Sequence, residues 1–173
     1  PFKSLPAEVL SVGGYITVNQ DSSVDYYAPD ADVLLSDTFL ADHCFKIEPG
    51  TFEHTGYVGL AFQPVKERKK PDIKGVLWMD AKTNELRTLE FTYNWLPNDI
   101  RPGEYGGTVS FFRLPGGRWI VRSWRIRMPE FGYNRSGFGR LVLGVVRIAE
   151  EGGAVPLNSL LNQSGNLQGT VVM

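Results

Sequence analysis

The chain has a single cysteine, Cys44, and two histidines, His43 and His54, in 173 residues. One cysteine excludes an internal disulfide and a thiolate-rich structural zinc site. Cys44 stands between His43 and Phe45, which predicts a buried, inert thiol, with the two histidines at surface or capping positions. Adjacent residues on a strand point to opposite faces, so a Cys/His nucleophile pair would need His54 to meet Cys44 across strands. No apolar run approaches the roughly 20 residues that a helix needs to cross a bilayer. Gly137 and Gly139 are not followed by Lys-Ser/Thr, which excludes a phosphate loop. Asp30, Asp32, Asp37 and Asp42 lack the ligand alternation and glycine of a calcium loop and read as helix starts and turns. Neither a nucleophile elbow nor a zinc helix is present. The expectation is a protein that is not an enzyme, with no catalytic, cofactor-binding or metal-binding residues.

What the chain has in quantity is turn residues and alternating apolar segments. With 19 Gly, 11 Pro and 42% hydrophobic residues, it reads as a turn-rich β domain large enough to bury a core. Residues 1–14 read as an arm with a helical turn over Pro6–Leu10, stopped by Gly13-Gly14. Tyr15–Asn19 and Val24–Ala28 form a hairpin. Leu34, Leu35, Phe39 and Leu40 recur at helical spacing, predicting one helix or two short ones, with Ser36 or Asp37 as a cap. Strands follow at Cys44–Glu48, Tyr57–Pro64 and Ile73–Asp80, and Val65–Lys70 reads as a solvated basic loop. Asp80–Asn84 is a turn. In Glu85–Trp95, Leu89, Phe91, Tyr93 and Trp95 share one face, while Thr88, Glu90, Thr92 and Asn94 share the other. Thr108–Arg113, the turn at Pro115-Gly116-Gly117, and Arg118–Met128 complete the central hairpins, with Pro129 ending the last strand. Residues 130–140 read as a loop, and Leu141–Ile148 as a final strand.

The organisation expected is a single antiparallel β domain over residues 1–150 and a C-terminal tail over 151–173, uncharged from Gly152 onward. A tail of that composition is expected to dock, on this domain or on a partner. The fold class is mainly β: a strongly curved antiparallel sheet, an incomplete barrel, with one or two short helices.

Charge is unevenly spread although the net value is −1. Residues 1–50 hold eight acids against Lys3 and Lys46, and residues 113–147 hold eight arginines against Glu130 alone. Such asymmetry suggests a charged partner unless the two regions neutralise each other. Simple alternation puts Arg118, Arg122, Trp124 and Ile126 on one face of the last long strand, and Trp119, Val121, Arg125 and Arg127 on the other. Arginines would then lie over aromatic rings. Arg and Trp are enriched at binding hot spots. The candidate partner-binding residues are therefore Arg118, Trp119, Arg122, Trp124, Arg125 and Arg127, with Leu157, Leu160 and Leu161 of the tail. A pI of about 6.2 and an acidic first third argue against nucleic acid.

YYAPDADVLLSDTFLADHCF (26–45), VGLAFQPV (58–65), KGVLWMDAKTNELRTLEFTYN (74–94) and GGTVSFFRLPGGRWIVRSWRIRMP (106–129) together resemble a bacterial family common in Gemmatimonadetes. It is the one labelled carboxypeptidase regulatory-like domain proteins. The opening PFKSLPAEVLSVGGYI is similar to the start of that module, and GNLQGTVV (165–172) to the opening of the small β-sandwich that carries the label. The resemblance covers residues 1–150 and implies no catalytic residues. At the level of fold, Trp78-Met79-Asp80, a turn, a returning strand ending in Leu89-Glu90-Phe91 and a long hairpin resemble the periplasmic lipoprotein carriers. That likeness implies a curved sheet wrapped over helices around an apolar cavity. Two functions follow as expectations. The first is a non-enzymatic binding or structural module of the bacterial cell envelope, on the periplasmic side. It would be a membrane-extrinsic accessory subunit that docks on a larger membrane complex, without a span or cofactor of its own. The alternative is a carrier of a lipid or small apolar ligand, its cavity lined by Leu89, Phe91, Tyr93 and Trp95.

Overall fold

Seven strands form one antiparallel meander in which each strand pairs with the next, and a layer of short helices and a hairpin covers one face of it. The structure is a computed structural model and describes residues 4–21, 23–66, 68–94, 105–135 and 141–156, with backbone alone at 134, 135, 141–144 and 146. The covering layer comprises helix α1 (Ala7–Gly13), the hairpin β1 (Ile16–Val18) and β2 (Val24–Tyr26), and helices α2 (Ala31–Leu34) and α3 (Asp37–Asp42). The sheet runs β3 (His43–Pro49), β4 (Tyr57–Pro64), β5 (Ile73–Asp80), β6 (Leu86–Tyr93), β7 (Gly106–Arg113), β8 (Trp119–Arg135) and β9 (Leu141–Ala154), in sequence order. It stays open between β3 and β9, so it is an incomplete barrel, as expected of the fold class.

Local chemistry explains the small helices. Asp30 caps α2 by accepting from the Val33 N–H at 2.9 Å. The Ser36 hydroxyl accepts from the Phe39 N–H at 3.1 Å to start α3 and donates to the Val33 carbonyl at 2.7 Å. One hydroxyl thus serves the end of one helix and the start of the next, which is why two short helices form rather than one. Helix α1 ends where Gly14 takes φ +84°, and a Cβ there would lie 2.3 Å from the Pro71 carbonyl oxygen. Only glycine allows the helix end to press against the start of β5.

The core lies between the layers. Leu10, Tyr15, Ala28, Val33, Leu34 and Phe39 from the cover meet Phe62, Ile73, Leu89, Phe91, Tyr93, Val109, Phe111 and Ile126 from the sheet. Full burial of each large side chain contributes about 1.5–3 kcal/mol. Leu89, Phe91 and Tyr93 share the core face as the alternation requires. They are packed there: Tyr93 meets Tyr26 and Phe91 edge-to-face at 5.4 and 5.3 Å, and its hydroxyl donates to the Tyr27 carbonyl at 2.8 Å. These three residues, expected to line a carrier's cavity, are buried in the core, and Trp95 lies outside the described residues.

Three expectations are corrected. The basic stretch after β4 is not simply solvated. The Arg68 side chain is 8% exposed; it pairs with Asp42 and Asp72 and donates to the Ser11 carbonyl at 3.1 Å. Two carboxylates and the bare carbonyls at the end of α1 draw it inward. Cys44 is exposed and His43 is buried, the reverse of the expected pair. Strand β3 begins at His43, so His43 and Phe45 turn to the cover and Cys44 turns out. Pro129 does not end its strand; β8 continues to Arg135, opposite Leu141. The Val155 N–H donates to the Arg122 carbonyl at 2.7 Å, so bonded pairs alternate down the ladder and Pro129–Ile148 falls on a non-bonded position. The missing N–H of Pro129 faces the side where β7 has already ended, opposite Arg127. Part of the expected loop 130–140 is therefore strand, and β9, expected to end at Ile148, pairs on to Ala154 opposite Ser123.

Two outcomes test this packing. Arg68→Ala strands the buried Asp72 carboxylate and is expected to cost about 3–5 kcal/mol in urea unfolding. The Cys44 thiol is expected to react with Ellman's reagent in the native protein at close to the rate of the unfolded chain; protection by orders of magnitude would contradict its outward placement.

Candidate functional site

Of the candidate binding residues, Trp119, Arg122, Trp124, Arg125 and Arg127 lie on β8 and Arg118 just before it, and a β-bulge decides how they are displayed. Ser110 pairs with Ser123, but Phe111 pairs with Val121, so Arg122 is an extra residue. The extra residue resets the alternation. Trp119, Val121, Trp124 and Met128 all pack against the core, and Ile126 is buried in it. Arg118, Arg122, Arg125 and Arg127 are exposed. The expected split, with each face mixing Arg and Trp, is therefore corrected: without the bulge, half the apolar residues of β8 would face water. Gly153 makes room for the Trp124 indole, since a Cβ there would lie 2.8 Å from its Nε1.

The arginines are only loosely held. Arg125 and Arg127 reach Glu150 at 3.7 and 3.8 Å, with side chains 68% and 44% exposed. Contacts of this length at the surface add little to stability. Arg113 meets Glu85 at 3.6 Å, and Arg147 makes a two-bond pair with Glu130 at 2.8 and 2.6 Å. That pair holds the Glu130 carboxyl below its ordinary range. In all these pairs the acids come from residues 85–150; the acidic first third contributes none, and its Asp42 is spent on Arg68. Leu157, Leu160 and Leu161 lie outside the described residues.

Beside the arginines, the outward face of β6 and β7 carries hydroxyls in register. Glu90 pairs with Thr108 and then Arg125, and Thr88 with Ser110 and then Ser123. On its far side stands a cluster that alternation did not bring together. His54 closes a single 3₁₀ turn (Phe52–His54) and stacks flat on Trp78, ring centres 3.9 Å apart and planes 9° off parallel. Its Nε2 lies 3.1 Å from Glu90 Oε1, and the Trp78 indole N–H donates to Glu90 Oε2 at 3.1 Å. The carboxylate holds the ring proton on Nε2, which leaves Nδ1 to accept from the Thr51 hydroxyl at 3.0 Å. A hydroxyl, an imidazole and a carboxylate stand in line, yet every polar atom of the set is bonded to another member. The cluster clamps the 51–55 turn onto the sheet. Thr51 and His54 have turn spacing and Glu90 lies on the polar face, but only the strand register places Glu90 diagonally across from Trp78.

The second histidine is equally occupied. His43 stacks on Phe39 at 4.1 Å, donates from Nδ1 to the Phe39 carbonyl at 2.9 Å and sets Nε2 3.2 Å from Asp72 Oδ1. Asp72 also accepts from Arg68 and from the Ile73 N–H at 2.8 Å. Burial, with the Asp72 charge adding to it, pushes the neighbouring Tyr15 phenol well above its ordinary range. Neither histidine makes a side-chain hydrogen bond with Cys44 among the described residues. No group of three or more metal-ligating side chains occurs among the described residues. Comparison with protein-family models, with curated proteins and with solved structures finds no match.

His54→Ala is expected to uncover Trp78, red-shift its fluorescence, and cost about 1–2 kcal/mol from the lost stacking and hydrogen bonds. An unchanged emission maximum would show that the clamp does not exist in solution.

Proposed function

We propose that the protein is a non-enzymatic binding module that docks through the exposed arginines of β8 onto an acidic surface of a larger protein assembly. The observation that carries this reading is the bulge at Arg122. It commits the tryptophans of β8 to the core and leaves Arg122, Arg125 and Arg127 exposed on the strand, with Arg118 exposed just before it. The strand fixes where the arginine stems leave the sheet, and each planar guanidinium can take a carboxylate through two parallel hydrogen bonds. Ser110, Ser123, Thr88 and Thr108 beside them supply hydroxyls for a polar rim. The two histidines, the groups best suited to acid–base work near neutral pH, are spent on structural bonds, which favours binding over catalysis.

The motifs at 26–45, 58–65, 74–94 and 106–129 support a bacterial cell-envelope setting, and no helix among the described residues is long and apolar enough to cross a membrane. On the resemblance those motifs carry, we propose that the module sits on the periplasmic side, as a membrane-extrinsic accessory subunit of a membrane complex. The packed state of Leu89, Phe91 and Tyr93 gives the lipid-carrier alternative no comparable support.

The double charge reversal Arg125→Glu/Arg127→Glu tests the reading. Its melting temperature should stay within a few degrees of the parent, because neither arginine is buried. Its association with membranes of the source bacterium, measured by co-sedimentation, should fall at least about tenfold at low salt, since steering by surface charge fades with ionic strength. Association indifferent to both the reversal and the salt would remove β8 as the docking surface.

A further inference from the structure

A second surface, of different chemistry, lies where the covering hairpin approaches the long arm of the sheet. Strand β7 ends opposite Arg127, but β8 and β9 continue as a two-stranded ribbon to Arg135–Leu141. The Tyr26 hydroxyl ties the hairpin to this ribbon by donating to the Pro129 carbonyl at 2.9 Å. Between them is a groove of about 310 Å³, at the lower end of the range for ligand pockets. Val24, Tyr26, Met128 and Phe131 give it apolar walls, and Glu130 and Glu151 bring carboxylates. Glu130 is bound to Arg147, so Glu151 is the carboxylate the groove offers.

The hairpin supplies a second, independent observation. The Tyr27 N–H donates to the Tyr15 carbonyl at 3.0 Å, and the Asn19 N–H to the Ser23 carbonyl at 2.8 Å. Bonded pairs alternate along an antiparallel ladder, so Ile16–Tyr26 and Val18–Val24 are the non-bonded positions. The main-chain N–H and C=O groups of Val24 and Tyr26 therefore point away from β1. They have no main-chain partner among the described residues, and both residues line the groove. A free strand edge beside an apolar groove is the geometry that takes an extended segment as an added strand.

We propose that this groove binds an extended segment of a partner protein that carries a lysine or arginine. The segment adds to β2 through the Val24 and Tyr26 main-chain groups. The basic side chain runs its methylenes over Met128 and Phe131 and sets its charge against Glu151. The opposite sign of this site keeps it distinct from the arginines of β8, so one partner could be held at two places of opposite charge.

The test uses the full chain and a five-residue peptide, acetyl-Thr-Val-Lys-Val-Thr-amide, with its central lysine replaced by glutamate for comparison. Titration followed by amide NMR should shift the signals of Val24, Tyr26 and Glu151 with the lysine peptide and scarcely with the glutamate peptide. Glu151→Gln should weaken the lysine peptide about three- to five-fold, the effect of a partly exposed ion pair. Methylating alternate peptide nitrogens, in the register that faces β2, should abolish binding while leaving the charge intact. Equal binding of both peptides, indifference to N-methylation, or shifts confined to the outer edges of β3 and β9 would each overturn the proposal. So would concentration-dependent shifts of the same signals without peptide, which would mark a contact between copies of this chain.

Discussion

The architecture depends on one buried guanidinium. Arg68 enters from the connection between β4 and β5 and is held by Asp42 at the end of α3 and Asp72 at the entrance to β5. It also approaches the Leu10 and Ser11 carbonyls at the end of α1. Asp72 in turn meets His43 at the start of β3, and its backbone N–H donates to the Asn94 side chain at 2.7 Å. Two helices and three strands are thereby fastened at one point. Each member is costly to bury alone and inexpensive to bury together, because the carboxylates neutralise the guanidinium and the helix carbonyls take its remaining hydrogens. A purely apolar junction would bring the layers together but would not set the angle at which α1 and α3 lie on the sheet.

From that junction the sheet is built outward by short-range pairing. Every strand bonds to its sequence neighbour, so no crossover is needed, and the short covering elements are added before the sheet begins. The pairing register shifts at bulges, at Trp78/Met79, Ser110/Phe111 and Glu130/Phe131. A bulge bends a strand and increases its twist. The one at Arg122 has a further consequence. It shifts the inward and outward sets by one residue, and so converts a strand that reads as mixed into one with an apolar inner face and arginines outside.

How much of this was legible depended on the range of the interaction involved. The Tyr57–Pro64 and Ile73–Asp80 strands stand where the alternation put them, and Asp80 accepts from the Lys82 and Thr83 amides as its turn requires. Of the two caps expected, Ser36 or Asp37, it is Ser36 that caps α3. These are contacts within a few residues, and residue type alone specifies them. The burial of Arg68 is not legible because its partners lie 26 residues upstream and four downstream, and composition shows only four basic side chains beside one acid. Cys44 and His43 were exchanged because a strand boundary displaced by one residue leaves alternation intact but does not say which face is inside. Pro129 was misread because a proline interrupts a strand only where its N–H is needed, and that depends on where β7 stops.

By itself the sequence determined the class of the fold: short alternating segments between turns satisfy their backbone by pairing in an antiparallel sheet, and the few helical residues suffice only for short helices packed on it. It also determined that arginine and tryptophan would share one strand. Tertiary structure alone decided which of them faces the solvent, because a single inserted residue at Arg122 reverses the alternation without changing the pattern that precedes it. It alone decided which partners His43 and His54 meet, because Asp72 and Glu90 are brought to them by strand register across 29 and 36 residues. And it alone brought Val24 and Tyr26 of β2 to the same groove as Glu151, because the hairpin and the end of the sheet meet only when the layers are packed.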